Sequence, residues 1–259
     1  MSATAPHAPE VAVLAHQRQV WACLAGVMDP ELDESVTELN FVTGVSVDAE
    51  RRVHIGFRLP TYWCAANFSF LMADDMRRAV SALDWVAGVD VVLGEHMYAD
   101  KINAGLAGGL SFQETFGAEA DGDLDDLRRT FLAKAFQRRQ AALLNHLLSA
   151  GHTPLGLVAL TIGALKTLAL DGEGETLRAR YCERRGVAGP LDFDAPALLT
   201  ADGAAVTADD LPRYIFGLRR VGINAEFNGA LCRGLLSVRF DLETPLKPRG
   251  RRVADSRAT

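Results

Sequence analysis

The chain has 259 residues, 49% hydrophobic and 23% charged, enough for one large domain or two small ones with a buried core. With 27 basic against 33 acidic side chains the formal charge is −6, which excludes a general electrostatic affinity for nucleic acid. Cys23, Cys64, Cys182 and Cys232 form no CxxC pair or zinc-type spacing, no apolar run reaches the roughly 20 residues of a membrane span, and the first residues lack a signal-peptide pattern. A cytoplasmic protein with reduced thiols is therefore expected, without membrane or nucleic-acid partners.

Val13, Leu14, Val20, Trp21, Leu24, Val27 and Met28 recur at helical spacing, and Asp29-Pro30 stops that helix because the residue before proline is pushed out of the helical region. Leu39, Phe41, Val45 and Val47, then Val53, Ile55, Phe57 and Leu59, alternate with polar or small residues across a polar turn, which predicts an antiparallel hairpin. Pro60 to Cys64 reads as a loop. A second amphipathic helix follows through Phe68, Leu71, Met72, Met76, Val80 and Leu83, and Val89 to Leu93 reads as a short strand.

From Gly94 to Gly122 the pattern dissolves, and Gly105 to Gly109 is expected to be part of a connection. Residues 123–150 predict a long helix, Leu155 to Leu170 a central core helix, and Glu173 to Arg185, Ala208 to Val221 and Asn224 to Val238 shorter ones. The expected architecture is α+β: a small helix-covered sheet domain over 1–103, a Gly-rich connection over 104–122, a mostly helical domain over 123–240 and a basic flexible tail over 241–259.

Cys64 stands between a loop and a helix start, where free backbone N–H groups favour thiolate, so it is the candidate soft-metal ligand or nucleophile. Asp29-Pro30-Glu31-Leu32-Asp33-Glu34 supplies four carboxylates in the loop before the first strand, and mixed sulfur and oxygen donors suit iron or zinc. His96 follows the third strand and is a candidate imidazole ligand. Tyr62 and Trp63 flank the cysteine as candidate partner contacts. Cys23 and Cys232 fall in helical patterns and are expected in the core, Cys182 stays open, and the long separations give no ground for a site shared by Cys64, Cys182 and Cys232. The arginine pairs of the helical half suit an acidic protein partner.

Asp29-Pro30-Glu31-Leu32, Thr37-Glu38-Leu39, the hairpin, Pro60-Thr61 and Cys64 before an amphipathic helix, and Gly88-Val89 with its strand together resemble, over roughly residues 13–95, the iron–sulfur cluster assembly family that includes SufT-like and PaaD-like proteins. The resemblance implies Asp29, Glu31 and Cys64 as signature positions, a transient iron or iron–sulfur cargo, and an accessory or maturation role toward a client metalloenzyme or the assembly machinery, without turnover of a small substrate. Ala65 replaces the family's proline, Glu38-Leu39-Asn40 its Asp-Leu-Gly, and Gly94 to Tyr98 its tryptophan-containing ending; these departures imply a specialised member, with a binuclear-iron monooxygenase as candidate client. The helical remainder is expected to recognise that client, and self-association is left open. Two alternatives stand beside this reading: a metal-free scaffold or binding subunit, and a cysteine-dependent enzyme with Cys64 as nucleophile.

Overall fold

The computed structural model describes residues 8–120 and 122–240; the expected tail over 241–259 lies outside the described residues. Helix α1 (Ala8–Leu24) leads into a loop, strands β1 (Val42–Val47) and β2 (Arg52–Phe57) pair antiparallel, and α2 (Ala66–Ser81) crosses over to β3 (Gly88–Leu93), parallel to β2. The sheet order is β1-β2-β3. On β2 the two-residue period buries Val53, Ile55 and Phe57 against Phe70, Met76 and Val80 of α2, while His54 faces outward between Asp48 and Asp90.

α1 ends four residues before the expected stop at Met28. Gly26 N–H donates to Cys23 O and Val27 N–H to Leu24 O, tightening the last turn, and Met28 then bridges to Ser35. The segment between them closes on itself: Asp29 N–H donates to Glu34 O at 2.9 Å, Asp33 N–H donates to Asp29 O at 2.9 Å, and Val36 N–H donates to Val27 O at 3.0 Å. The first strand starts later than Leu39 because Asn40 takes a positive φ and the β1 register shifts between Val42 and Gly44.

The stretch read as a Gly-rich connection carries α3 (Ala99–Ala107) and α4 (Phe112–Phe116), followed by a 3₁₀ turn over Gly117–Glu119. Ser111 and Glu114 form a reciprocal capping box at the start of α4, and Ile102, Leu106, Phe112 and Phe116 complete the first core. These helices are too short to declare a period. A Cβ on Gly105 would collide with the Thr115 side chain, so that glycine serves a close helix approach and not a linker.

The second half is helical, as expected. α5 (Leu124–Ser149) is capped by the Asp123 side chain and packs against α8 (Gly172–Arg185) and α9 (Leu211–Phe240). Where a single helix over Leu155 to Leu170 was predicted, α6 (Pro154–Val158) and α7 (Ile162–Thr167) stand apart. Thr161 caps α7, and the 192–197 segment competes for its backbone: Ile162 N–H donates to Ala195 O, Gly163 N–H to Phe193 O, and Ala197 N–H to Leu160 O. Conversely, the two helices expected over Ala208 to Val221 and Asn224 to Val238 are one. The core formed by Phe136, Leu143, Leu144, Leu147 and Tyr181 encloses a satisfied polar centre, in which Gln140 donates to Tyr181 Oη at 3.1 Å and Leu199 O at 3.0 Å and accepts from Tyr214 Oη at 2.5 Å. The fully buried Arg185 donates to the carbonyls of Gly189, Pro196 and Ala197.

The halves are joined through Asp33. Its carboxylate is 5% exposed, lies at a positive φ, and accepts from Arg139 Nε at 2.5 Å and Nη2 at 3.0 Å, with Arg184 Nη2 at 3.2 Å. Breaking such a pair strands a buried guanidinium. Asp33→Asn keeps the tolerance for a left-handed backbone and removes the charge, so it should cost about 3 kcal/mol in urea denaturation. Asp90→Asn, at the exposed pair with Arg52, should cost below about 1 kcal/mol, and equal effects of the two would contradict this role for Asp33.

Candidate functional site

Cys64 stands two residues before α2, whose N-cap, Ala65, offers no side-chain acceptor to the first free N–H groups. Its half-buried thiol lies 3.1 Å from Thr61 Oγ1. The aromatic residues before it point outward, with Tyr62 51% and Trp63 72% exposed.

His96 comes to the same place but with its ring already engaged. Nδ1 accepts from Tyr98 N–H at 3.1 Å, which puts the ring proton on Nε2, and Nε2 donates to Cys64 O at 2.8 Å. Burial, then the backbone contact at Cys64 acting in the opposite sense, and the nearby Arg239 charge leave its pKa below the usual histidine value. This imidazole clamps the Cys64 loop through backbone; in this arrangement neither nitrogen is free to ligate a metal or to deprotonate the thiol.

Asp29 turns inward on its own loop. Oδ1 accepts from Glu31 N–H at 2.9 Å and Leu32 N–H at 2.7 Å. Burial outweighs those bonds and pushes its pKa from 3.8 up to about 6. The remaining carboxylates of the loop are taken by the helical half: Glu31 accepts from Asn228 Nδ2 at 2.7 Å, Asp33 from Arg139 and Arg184, and Glu34 from Arg233 at 2.8 Å. The acidic partner suggested by the arginine pairs is thus, for Arg139 and Arg184, the chain's own loop.

Helix α9 also brings a residue that the sequence placed in the core. Its inward stripe is Asn228, Cys232, Leu236 and Phe240, and Cys232 packs beside the same first core as Cys64. Burial, then the charges of Asp29, Cys64 and Glu31, push the Cys232 thiol up to about 11. One helix turn beyond Asn228 therefore brings a second thiol into the electrostatic surroundings of Asp29, Glu31 and Cys64. Only the four-residue spacing from Asn228 to Leu236 signalled an inward face, and nothing signalled what it would face. Beyond it, Arg239 Nη2 donates to Glu95 O at 3.1 Å and Nη1 to Leu59 O at 3.3 Å, fastening the helix end to the loops before Cys64 and His96. Cys23 packs at the edge of the first core, and Cys182 lies on α8 with its pKa raised chiefly by burial.

The family described as "Iron-sulfur cluster assembly protein" matches residues 17–91. That segment of the chain belongs to this family. The assembly-family domain takes in Asp29, Glu31 and Cys64, and ends before His96 and before α3 to α9. A similar solved structure is the domain of unknown function DUF59 from Bacillus anthracis, 21% identical, covering 32% of this chain and 78% of that one at a TM-score of 0.31. No curated protein matches the chain.

Among the described residues no three His, Cys, Asp or Glu side chains stand close enough to hold a metal ion, and no helix is long and apolar enough to cross a membrane. The assembly-family domain and α9 thus bring Cys64, Cys232, Asp29 and Glu31 toward one region without a closed ligand set among the described residues.

Asp29 gives the region a pH signature. The folded chain binds its proton more tightly than the unfolded chain, so Asp29 subtracts stability as pH rises from about 4 to about 6, by about 3 kcal/mol at most. Asp29→Asn keeps the Oδ1 acceptor and removes the charge. In metal-free protein it should match wild type near pH 4 and exceed it by about 1–3 kcal/mol at pH 7 in denaturant titrations. A wild type that gains on the variant as pH rises would contradict the burial of this carboxylate.

Proposed function

We propose that the protein is an accessory factor that assists assembly or delivery of an iron–sulfur or iron centre to a client metalloenzyme, with Cys64 as the donor that handles the cargo. The observation that carries this reading is the family match over 17–91 together with the position of Cys64 at the exposed end of α2 beside Tyr62 and Trp63. The cargo is a substrate here, held transiently. Fewer than three assembled donors suit a hand-over in which the client or a carrier completes the coordination, since a resident metal in a closed site would be slow to leave. The client we infer is a binuclear-iron monooxygenase, and free thiols suit a reducing cytoplasm.

Cys64, Asp29 and Glu31 are the proposed cargo contacts, with Cys232, packed against the same core as Cys64, as a second thiol. Asp29 favours the proton at low pH, so cargo binding should weaken below about pH 6. We do not infer an enzyme: a nucleophilic thiol needs a base, and the His96 ring is committed to backbone on both sides.

A second reading, a metal-free binding subunit that keeps the fold, draws support from the loop carboxylates already spent on Arg139, Arg184, Arg233 and Asn228. Anaerobic reconstitution with ferrous iron and sulfide, followed by gel filtration and iron and sulfide analysis, separates the two. Wild type should retain iron, Cys64→Ser should lose most of it, and Cys232→Ser should lose part. Iron retention that is equal in wild type and Cys64→Ser, or absent from both while client maturation proceeds, favours the metal-free subunit.

A further inference from the structure

The largest cavity described lies between the Asp29–Glu34 loop, α5 and α9. It has a volume of about 680 Å³ and is lined by Glu31, Phe131, Lys134, Arg138, Arg220 and Phe227 among others. Gly217 belongs both to this cavity and to a neighbouring one of about 470 Å³ lined by Gln137, Arg213 and Tyr214. Gly217 puts no side chain between the two spaces, which adjoin as a groove along α5 and α9.

Three cations of this groove stand outside the chain's own ion pairs. Arg139, Arg184 and Arg233 are ion-paired within the chain, as is Arg128 with Asp75 at 2.6 Å. Among the described residues Lys134, Arg138 and Arg220 have no carboxylate within ion-pair distance, although Lys134 Nζ lies 4.5 Å from the Phe131 ring and Arg138 feels the charges of Asp33, Asp29 and Glu31. Two carboxylates lie in the wall, and both are engaged within the chain: Glu31 accepts from Asn228, and Asp210 accepts from Thr207 Oγ1 at 2.7 Å.

Part of the wall is apolar: Ile223 and Phe227 line the cavity and are 64% and 68% exposed, and outside it Phe216 and Leu231 continue the same helical stripe of α9, with Arg220 between them. A free inorganic anion would leave those rings uncovered. An elongated partner that places carboxylates beside an apolar face fits both features.

We propose that the α5–α9 groove is the docking site for an acidic, amphipathic helical segment of the client, its carboxylates meeting Lys134, Arg138 and Arg220 and its apolar face covering Ile223 and Phe227. The proposal rests on the delivery reading for the identity of the partner as a client. One end of the groove reaches Glu31, and Cys232 follows Asn228 by one turn, so a docked segment would lie beside the cargo contacts.

The test uses the full chain and a fluorescein-labelled helical peptide of about four turns, with leucine on one face and glutamate on its flanks, read by anisotropy. The glutamate peptide should bind, with affinity falling as salt rises, and its glutamine counterpart should bind at least about tenfold more weakly. The double variant Lys134→Glu with Arg220→Glu changes exposed side chains, and should weaken the glutamate peptide by about tenfold or more with an unchanged melting temperature. No binding of the glutamate peptide, equal binding of both peptides, or an unaffected double variant would overturn the proposal. So would a wild-type dimer in sedimentation that Phe227→Asp dissociates, since a second copy would then be the occupant, or displacement of the peptide by equimolar inorganic phosphate. Cys64→Ser should bind the peptide like wild type. Wild-type protein that binds the peptide but retains no iron would count against the delivery role alone, and wild-type protein that retains iron but does not bind the peptide against the groove alone.

Discussion

The structure depends on one buried carboxylate. Asp33 accepts from two guanidinium groups, Arg139 on α5 and Arg184 on α8, in a setting where both it and Arg139 are almost fully withdrawn from water. Desolvating three charged groups is expensive, and the contact persists because its geometry is bidentate and Arg139 Nη1 finds further acceptors in Arg180 O and Glu183. The loop bearing Asp33 is itself pinned by backbone bonds from residue 27 to residue 36. A small sheet domain and a helical body therefore meet at a fixed point, and the loop of the family signature is that point.

This gives the acidic loop two tasks. In sequence, Asp29, Glu31, Asp33 and Glu34 form an undifferentiated cluster, and any of them would serve as an oxygen donor. In the fold they separate: Asp33 and Glu34 hold the helical half, Glu31 sits at a groove mouth, and Asp29 caps its own turn with a proton affinity raised by burial. A carboxylate already bonded to arginine is a poor metal donor, because the guanidinium must be released first. The division leaves Asp29 and Glu31 free of ion pairs while Asp33 and Glu34 fasten the helical half.

Local physics made much of the first domain legible. Alternation in Val53, Ile55 and Phe57, the stop at Asp29-Pro30 and the stripe from Phe68 to Leu83 are signals carried within a few residues, and hairpin, helices and parallel strand follow them. Where elements were short or contested, the signal failed. α3 and α4 are too brief to show a period, and α6 and α7 are split by hydrogen bonds from a segment some 30 residues downstream. At the site, Cys64 was legible from its place before a helix. The role of His96 was not, because the same residue at the same loop can ligate or clamp, and only the partners of Nδ1 and Nε2 decide. Cys232 was illegible for a different reason: a cysteine on an inward helix stripe reads as packing until the surface it packs on is known.

The added helices do more than enlarge the chain. α9 contributes Asn228 to Glu31, Cys232 to the thiol region, Leu236 to the first core and Arg239 to the loops before Cys64 and His96, so its last three turns lie across the parts of the family domain that carry its chemistry. Its opposite face, from Phe216 to Leu231, is apolar and uncovered. A helix fastened on one side to the loops around Cys64 and exposing apolar side chains on the other mechanically links those two surfaces. Any partner that shifts α9 must strain the Asn228, Arg233 and Arg239 contacts, and those contacts set the spacing between Cys232 and Cys64. Recognition on the outer face and donor geometry on the inner face are in this way linked through the same three polar anchors.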